Sequence, residues 1–349
     1  MAKLNNLEKL ETPILITGHT GFKGTWLMLL LDRLGIPYIG ISLPPENDSL
    51  YTRTSHANLL SEHFQDIRDA REVEKIVLQY QPKVIFHLAA QPLVIDSYRD
   101  PLGTFSTNVM GTANILEASR KTKSDAFVAV VTTDKVYRNT GTRRKFVEDD
   151  PIMGEDPYSA SKASAENVVA AWRSIPNLDK HLCISSLRAG NVIGGGDLSA
   201  NRLLPDLVRS FTSGNTPTIR NPNSIRPWQH ALDPIMGYLL AINHSIETRT
   251  GNDFNFGPTD EGLTVEEVAN IACETWCPGL HPKFAEEKSP LHEAHYLDLS
   301  SEKALKILDW APNWNQKDSV KRTINWWKTL GERTATECCL VDIDSILKS

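Results

Sequence analysis

The stretch Pro13-Ile-Leu-Ile-Thr-Gly-His-Thr-Gly-Phe-Lys-Gly24 decides the fold class of this chain. It begins as a short apolar run typical of a buried strand and continues into glycines at positions 18, 21 and 24. A helical pattern of apolar residues follows from Trp26 to Leu34, and Gly35 ends it. A strand, a glycine-rich turn and a helix N-terminus in succession let a pyrophosphate approach the backbone and meet free N–H groups. This context favours a dinucleotide site over a purely structural turn.

Apolar strand patterns alternate with helical patterns through the first half of the chain. The strands are predicted at Tyr38–Leu43, before Phe64, at Val84–Leu88, at Ala126–Val131 and at Leu182–Leu187, with helices that include Thr104–Lys121 and a segment starting near Tyr158. Alternation of this kind predicts an α/β fold, built as a doubly wound parallel Rossmann sheet.

The composition changes after Leu187, which indicates a second part of the molecule. A glycine loop, a helix pattern at Asn201–Ser213 and a short strand pattern at Thr218–Arg226 follow, while Asn252–Gly257 is expected to return to the large sheet. A helix is predicted at Leu263–Thr275, opened by Thr264 with Glu267 at capping-box spacing. We therefore assign 1–187, plus about 228–256, to the Rossmann domain. We assign about 188–227 and 257–349 to a smaller C-terminal mixed α/β substrate lobe.

Composition excludes several classes of function. The net charge is −6 with a pI near 6.0, and the short basic run Arg143-Arg144-Lys145 is interpreted as a solvated loop, so nucleic acid is not an expected partner. The N-terminal residues lack a continuous apolar segment, which argues against a signal peptide or a membrane partner and predicts a cytoplasmic protein. The five cysteines are irregularly spaced, and we expect buried reduced thiols. His292 and His295 are three residues apart, not four, so no metal site is expected.

Candidate coenzyme contacts lie where the predicted strands end. They are Gly18, His19, Thr20, Gly21, Phe22, Lys23 and Gly24 after the first strand, Asp66 and Ile67 after the third, Leu88, Ala89 and Ala90 after the fourth, and Asn108 in the following helix. An Asp at the start of the third helix can meet an adenine amino group or cap the helix, and both alternatives stay open. The second strand ends in Ser42 and Leu43, with neither the acid usual for NAD nor an arginine for a 2′-phosphate; we favour NAD over NADP.

The strongest catalytic pattern is Tyr158-Ser-Ala-Ser-Lys162. At the start of a helix, residues four apart share a face, so the ammonium of Lys162 can stabilise a phenolate at Tyr158, whose ordinary pKa is about 10. Such pairs also occur by chance on surface helices, but the preceding dinucleotide motif favours the catalytic interpretation. Thr133, Asp134 and Lys135 follow the fifth strand, at the edge where open α/β sheets bind ligands.

Several motifs together resemble a known family. They are Thr17–Gly24, His87-Leu-Ala-Ala90, Thr107-Asn-Val-Met-Gly-Thr112, Thr133-Asp-Lys-Val-Tyr137, Tyr158–Lys162, the stretch Arg188–Asp197 and Arg226-Pro-Trp-Gln-His230. Over nearly the whole chain they resemble the extended short-chain dehydrogenases/reductases. The Thr-Asp-Lys sequence, where dTDP-sugar enzymes have Thr-Asp-Glu, resembles the CDP-sugar branch of the nucleotide-sugar 4,6-dehydratases.

The resemblance implies a reaction and roles for individual residues. A 4,6-dehydratase oxidises C4 of the sugar with bound NAD, eliminates water across C5 and C6, and returns the hydride to C6. Tyr158 would be the base for the C4 hydroxyl, with Thr133 sharing its hydrogen bond and Lys162 stabilising its charge. Tyr158 and Lys162 would also bind the coenzyme, with Lys162 contacting the nicotinamide ribose. Asp134 would be the acid for the C6 hydroxyl, which requires a raised pKa. Lys135 would be either the base at C5 or a cation that stabilises the enolate.

The resemblance also implies partners. A CDP-hexose substrate would meet Gln91, Asn191, Arg202, Arg226 and His295, and Arg226 suits its pyrophosphate because a guanidinium donates two parallel hydrogen bonds. The helices at Thr104 and Tyr158 resemble those of a four-helix dimer interface, so a homo-oligomer is expected, as a dimer or a tetramer. Three alternatives remain: a sugar-nucleotide C4 epimerase, a dehydratase that acts on another nucleotide sugar, and a catalytically silent NAD-binding regulatory protein.

Overall fold

The computed structural model describes residues 4–142, 144–177, 181–285 and 297–348. The strands are β1 (Ile14–Thr17), β2 (Tyr38–Ser42), β3 (Leu59–Phe64), β4 (Val84–His87), β5 (Ala126–Thr133), β6 (Leu182–Ala189), β7 (Asn191–Ile193), β8 (Thr218–Ile219), β9 (Ile225–Arg226), β10 (Trp228–His230), β11 (Asp253–Phe256), β12 (Leu263–Thr264) and β13 (Lys283–Phe284). Seven of them form one parallel sheet in the order β11-β6-β5-β4-β1-β2-β3. The order reverses between β1 and β4, which is where doubly wound sheets bind their ligands.

Helices cover both faces of this sheet. They are α1 (Asn5–Glu8), α2 (Phe22–Leu34), α3 (Ala70–Tyr80), α4 (Val94–Arg99), α5 (Pro101–Phe105), α6 (Gly111–Arg120), α7 (Pro157–Arg173), α8 (Leu203–Thr212), α9 (Leu232–Thr248), α10 (Val265–Trp276), α11 (Glu302–Leu308), α12 (Gln316–Thr329) and α13 (Ala335–Lys348). One apolar core joins the sheet to α2, α9 and α13, and another joins its opposite face to α3, α6 and α7. The predicted doubly wound α/β fold is confirmed.

Some element boundaries differ from those predicted. β5 and β6 each extend two residues beyond their apolar runs, so Thr132, Thr133 and Arg188 are strand residues. The helix predicted from Thr104 starts at Pro101 and passes through a π-helical turn at Ser106–Met110 before α6. The strand predicted at Thr218–Arg226 is wrong. The segment contains two separate short strands, β8 and β9, which pair with β13 and β12.

A third apolar cluster lies outside the large sheet. It packs α8, α10 and α12 around short strands that include β8 and β12. Thr264 and Glu267 form the predicted capping box at the start of α10. The domain boundaries drawn from the sequence stay a prediction.

The C-terminal helix α13 packs against α2 and α12. Its Asp344 pairs with Arg33 of α2 at 2.7 Å, and its Asp342 pairs with Arg322 of α12 at 2.6 Å. Cys183, Cys273, Cys338 and Cys339 are buried as expected, whereas Cys277 is exposed because it follows the last turn of α10. In the described part of the chain, no helix combines the length and the apolar character needed to cross a bilayer.

Asp233, in the first turn of α9, is a buried acid that holds a loop. Its Oδ1 accepts a hydrogen bond from the Asn313 amide at 2.6 Å, and its Oδ2 has no partner among the described residues. Burial raises the pKa of Asp233 to about 7, although the Asn313 amide and Arg322 lower it. The folded protein therefore holds a proton that the unfolded chain releases above about pH 4.

We expect the stability that this proton contributes to be lost as the pH rises from about 4 through 7. Asp233→Asn keeps the acceptor for Asn313 and removes the titration. Its free energy of unfolding, relative to that of the natural chain, should therefore increase by about 2–4 kcal/mol between pH 5 and pH 8. Urea unfolding at both pH values measures this, and an equal difference at the two values would contradict it.

Candidate functional site

The glycine-rich turn after β1 fits tightly against its neighbours. Gly18 has a φ of +73°, and a Cβ there would lie 2.6 Å from the Ala89 nitrogen. A Cβ on Gly24 would lie 2.2 Å from the Gly18 oxygen. Only glycine therefore fits at either position. The turn delivers the first N–H groups of α2, which have no partner within the helix, to the crevice between β1 and β4. This cradle suits a dinucleotide pyrophosphate.

The side chains of His19 and Thr20 hold this turn in place. His19 is fully buried beneath the turn, and its Nε2 lies 2.8 Å from Glu62 Oε1 on β3. Thr20 Oγ1 lies 2.7 Å from Ser42 Oγ at the end of β2. Both residues were predicted coenzyme contacts. The structure leaves their backbone at the crevice and turns their side chains to the neighbouring strands.

Lys23 reaches from the start of α2 into the interior. Its Nζ lies 5.8 Å from the centre of the Tyr238 ring. Burial, together with the charges of Lys162 and Arg202, lowers the pKa of Lys23 to about 7. Its neighbour Phe22 packs beside Gly194, where a Cβ would lie 3.1 Å from the ring. Lys23 thus joins the cluster of charged groups around Lys162.

The segments after β3 and β4 form the next part of the crevice. Asp66 pairs with Arg68 at 2.6 Å, which lowers the pKa of Asp66, whereas the cap of α3 is Asp69. Ile67 is buried and packs against Gly111. Residues 88–90 are half-buried, and the backbone of 88 and 89 contacts Gly18.

Asn108 and Gln91 make their polar contacts within the protein. In the π-helical turn, Asn108 accepts from the Gln91 amide at 2.8 Å and donates to Ser161 Oγ at 2.8 Å. The Gln91 side chain donates to Thr104 Oγ1 at 2.9 Å. Asn108 therefore holds α7 next to the loop after β4. Both residues lie beside the crevice, but these bonds occupy their side-chain amides.

Tyr158 and Lys162 lie near the start of α7, which Asp156 caps. Burial raises the pKa of Tyr158 to about 12. A hydrogen bond with Thr133 and the charge of Arg202 oppose this shift. Lys162 Nζ donates to the Val131 carbonyl at 3.1 Å. Burial lowers the pKa of Lys162 to about 8, while the charge of Glu166 raises it.

Asp134 follows β5 and is 1% exposed. Its Oδ1 accepts from Thr133 Oγ1 at 2.9 Å, and its Oδ2 has no partner among the described residues. Burial raises the pKa of Asp134, although Lys135, Thr133 and Arg226 lower it. A Cβ on Gly190 would lie 2.9 Å from the free oxygen. The structure thus places a carboxyl group with a raised pKa beside the Thr133–Tyr158 contact.

The predicted substrate residues have different surroundings. Asn191 opens β7 and pairs in register with Trp228. Arg202 lies 3.2 Å from Asp197, and it is close enough to Tyr158 and Lys23 to affect their pKa values. Arg226 is half-buried and close enough to Asp134 to lower its pKa. His295 lies outside the described residues.

Sequence reasoning missed two groups that support the site. His87 joins β1 to α6, with Nδ1 at 2.7 Å from Thr17 Oγ1 and Nε2 at 3.0 Å from Thr112 Oγ1. Burial lowers the pKa of His87 to about 3. The other group is Glu166 with Arg188, a buried ion pair at 2.9 Å. The position of Glu166, four residues after Lys162, was a usable signal because it predicts the same helix face.

Comparison with known proteins adds a family to this geometry. The sequence model of the family described as GDP-mannose 4,6 dehydratase matches residues 15–323. The chain is 40% identical over 324 residues to CDP-glucose 4,6-dehydratase of Salmonella typhimurium, covering 90% of each protein. It is 25% identical over 347 residues to dTDP-glucose 4,6-dehydratase 1 of Escherichia coli, covering 90% of this chain and 92% of that one.

Solved structures share the fold. DesIV, a dTDP-glucose 4,6-dehydratase from Streptomyces venezuelae solved with NAD and TYD bound, superposes with a TM-score of 0.78 at 23% identity. The match covers 90% of this chain and 97% of DesIV. UDP-glucose-4-epimerase from Stenotrophomonas maltophila superposes with a TM-score of 0.81 at 19% identity, over 92% of this chain and 99% of that one. At these identities the likeness shows the fold alone.

The contact of Gly18 with β4 predicts a specific defect. Gly18→Ala should weaken dinucleotide binding by at least about tenfold, because its Cβ overlaps the Ala89 backbone and moves the turn. Titration of the protein with NAD, followed by intrinsic fluorescence, measures this. Gly35→Ala is the matched control, because Gly35 also has a positive φ, +70°, with nothing within 4 Å of its Cβ. Equal affinity in both variants would contradict the steric explanation.

Proposed function

Since this chain belongs to the GDP-mannose 4,6-dehydratase family, we propose that it is an NAD-dependent hydro-lyase that converts CDP-glucose to CDP-4-keto-6-deoxyglucose. The relative at 40% identity carries the name of this activity. The observation that carries the proposal is the buried carboxyl group of Asp134, whose pKa is raised, next to Thr133. An acid that holds its proton near neutral pH is what the loss of a hydroxyl group requires.

NAD is the proposed coenzyme. The glycine cradle at Gly18 and Gly24 and the N-terminus of α2 fit its pyrophosphate. Leu88, Ala89 and Ala90 line the adjoining part of the crevice. Bound there, NAD would supply the hydride acceptor for C4 of the sugar and, once reduced, the hydride donor for C6.

Tyr158 and its neighbours carry out the proton transfer that accompanies oxidation at C4. Tyr158 accepts the proton of the C4 hydroxyl, and Thr133 orients the phenol by a hydrogen bond. Lys162, anchored on the Val131 carbonyl, supplies positive charge near the phenolate. Burial raises the pKa of the phenol in the protein alone, and the hydrogen bond of Thr133 and the charge of Arg202 lower it and so favour its ionisation.

Asp134 and Lys135 serve the elimination. Asp134 gives its proton to the departing C6 hydroxyl, and its Oδ2 has no hydrogen-bond partner among the described residues. Lys135 is half-buried, one residue further along the same turn, and acts at C5 as the base or as the cation beside the enolate. For the substrate, we assign Arg226 and Arg202 to the pyrophosphate, and Gln91, Asn191 and His295 to the remainder of the CDP-hexose.

The test is incubation of the purified protein with CDP-glucose, dTDP-glucose, GDP-mannose and UDP-glucose, followed by mass spectrometry. We expect a product lighter by one water, formed at least about tenfold faster from the CDP-sugar than from the others. No loss of water from any of them would refute the proposal. Interconversion of C4 stereoisomers in its place would favour an epimerase.

Asp134→Asn separates the two halves of the reaction. The amide keeps the acceptor for Thr133 but cannot donate the proton, so dehydration should fall by about 100-fold or more. Transient absorbance at 340 nm should still report oxidation at C4. Unchanged dehydration would remove Asp134 from the mechanism.

A homodimer is also part of the proposal. Tyr98, Leu102, Phe105 and Met110 are large apolar side chains that are 38–84% exposed within a short segment of α4, α5 and the π-helical turn. α5 packs on α7, so this surface adjoins the helix that carries Tyr158. Apolar clusters of this kind mark association surfaces. A cytoplasmic location stays a prediction.

Leu102→Glu should convert the dimer to a monomer, because it places a charge in the apolar contact. Size-exclusion chromatography with light scattering measures the mass. Leu305→Glu on α11, where Leu305 is 51% exposed, is the control and should leave the dimer intact. A dimeric Leu102→Glu variant, or a monomeric natural chain, would contradict this interface.

A further inference from the structure

Glu166 shares a buried helix face with the two proposed catalytic residues of α7. Tyr158, Lys162 and Glu166 follow one another at intervals of four residues, so they lie one above the other. Lys162 is 7% exposed and Glu166 is 5% exposed. A glutamate buried to this degree is unusual unless it is paired, and it needs an explanation.

The carboxyl group of Glu166 is surrounded by donors from two strands. Its Oε1 accepts from Thr132 Oγ1 at 2.5 Å and from Ser186 Oγ at 2.7 Å. Arg188 donates to both oxygens at 2.9 Å, which is the two-pronged geometry that a guanidinium favours. Thr132 and Arg188 are partners in register on β5 and β6. Glu166 therefore fixes α7 against both strands.

The same strand also fixes Lys162. The Val131 carbonyl accepts from Lys162 Nζ at 3.1 Å, and the next residue, Thr132, donates to Glu166. One turn of α7 is thus attached at two successive residues of β5. The position of Lys162 along β5, and hence that of Tyr158 one helical turn earlier in α7, depends on both attachments.

We propose that Glu166 is a positioning residue for the first step of the proposed function, which keeps Lys162 charged and seated on the Val131 carbonyl beside Tyr158. The proposal rests on that function for its kinetic consequence only. Glu166 touches neither the sugar nor the coenzyme in this role, and it acts through Lys162.

The charges around Lys162 agree with this role. Lys23 on α2 repels it, and His87 on β4 is buried close to it. Arg188 on β6 is bonded to Glu166, and Asp134 after β5 acts on Tyr158 and Lys23. Glu166 raises the pKa of Lys162, which burial lowers to about 8. Without its negative charge the ammonium would be lost at a lower pH.

The experiment is an NMR titration of the full chain labelled with ¹³C at the lysine Cε, with the Lys162 signal identified by its absence in Lys162→Met. In Glu166→Gln we expect the Lys162 midpoint to fall by about one pH unit. Tyr137→Phe is the matched control. It removes a hydroxyl that Arg188 also contacts, at 2.8 Å, and leaves the charge of Glu166 intact, so the midpoint should stay. A folded Glu166→Gln variant with an unchanged midpoint overturns the proposal.

A second variant covers the case in which Glu166→Gln does not fold, because it leaves a buried guanidinium without a partner. The double variant Glu166→Gln/Arg188→Met removes both charges, and its Lys162 midpoint should also fall. An unchanged midpoint overturns the proposal here as well.

The midpoint does not depend on turnover, so it decides the role of Glu166 even if the natural chain fails to dehydrate CDP-glucose. If it does dehydrate CDP-glucose, the alkaline limb of the rate of C4 oxidation should move down with the midpoint in these variants. A merely structural role would lower the rate at all pH values and leave the limb in place.

Discussion

The close approach of the Gly18 backbone to the end of β4 is the contact on which the site depends. Thr17 Oγ1 accepts a hydrogen bond from the Ala89 backbone amide at 3.2 Å and lies 2.7 Å from His87 Nδ1. The ends of β1 and β4 are therefore joined by side chains as well as by the sheet. These two strands flank the point where the strand order reverses. Because both loops leave the sheet there, the crevice between them is formed by the topology itself.

Burial is the common cause of the unusual acid–base character of this crevice. It raises the pKa of Asp134 and Tyr158 and lowers that of Lys23 and Lys162. Each shift favours the neutral form, as expected where water is excluded. An acid that keeps its proton therefore needs no special partner, whereas a lysine that must stay charged does. Glu166 is the anion that supplies this need for Lys162.

Local signals in the sequence were sufficient for the sheet, the glycine turn and the capping box at Thr264, because each is encoded within a few residues. They could not give the direction of the His19 side chain, or the bonds of Asn108 to Gln91 and Ser161, because those partners are distant in sequence. The split of the predicted strand into β8 and β9 has the same origin. Each short piece forms only because a distant segment pairs with it.

The helix α13 contacts α2, a part of the chain that is translated much earlier. Its Asp344 reaches Arg33, and its Asp342 lies 3.4 Å from the buried His230. During synthesis on the ribosome, α2 and the loop before it emerge some 300 residues ahead of these partners. The apolar face of α2 that later packs on α13 is not covered by α13 during that interval. The contact between α2 and α13 therefore forms only after the residues between them have been translated.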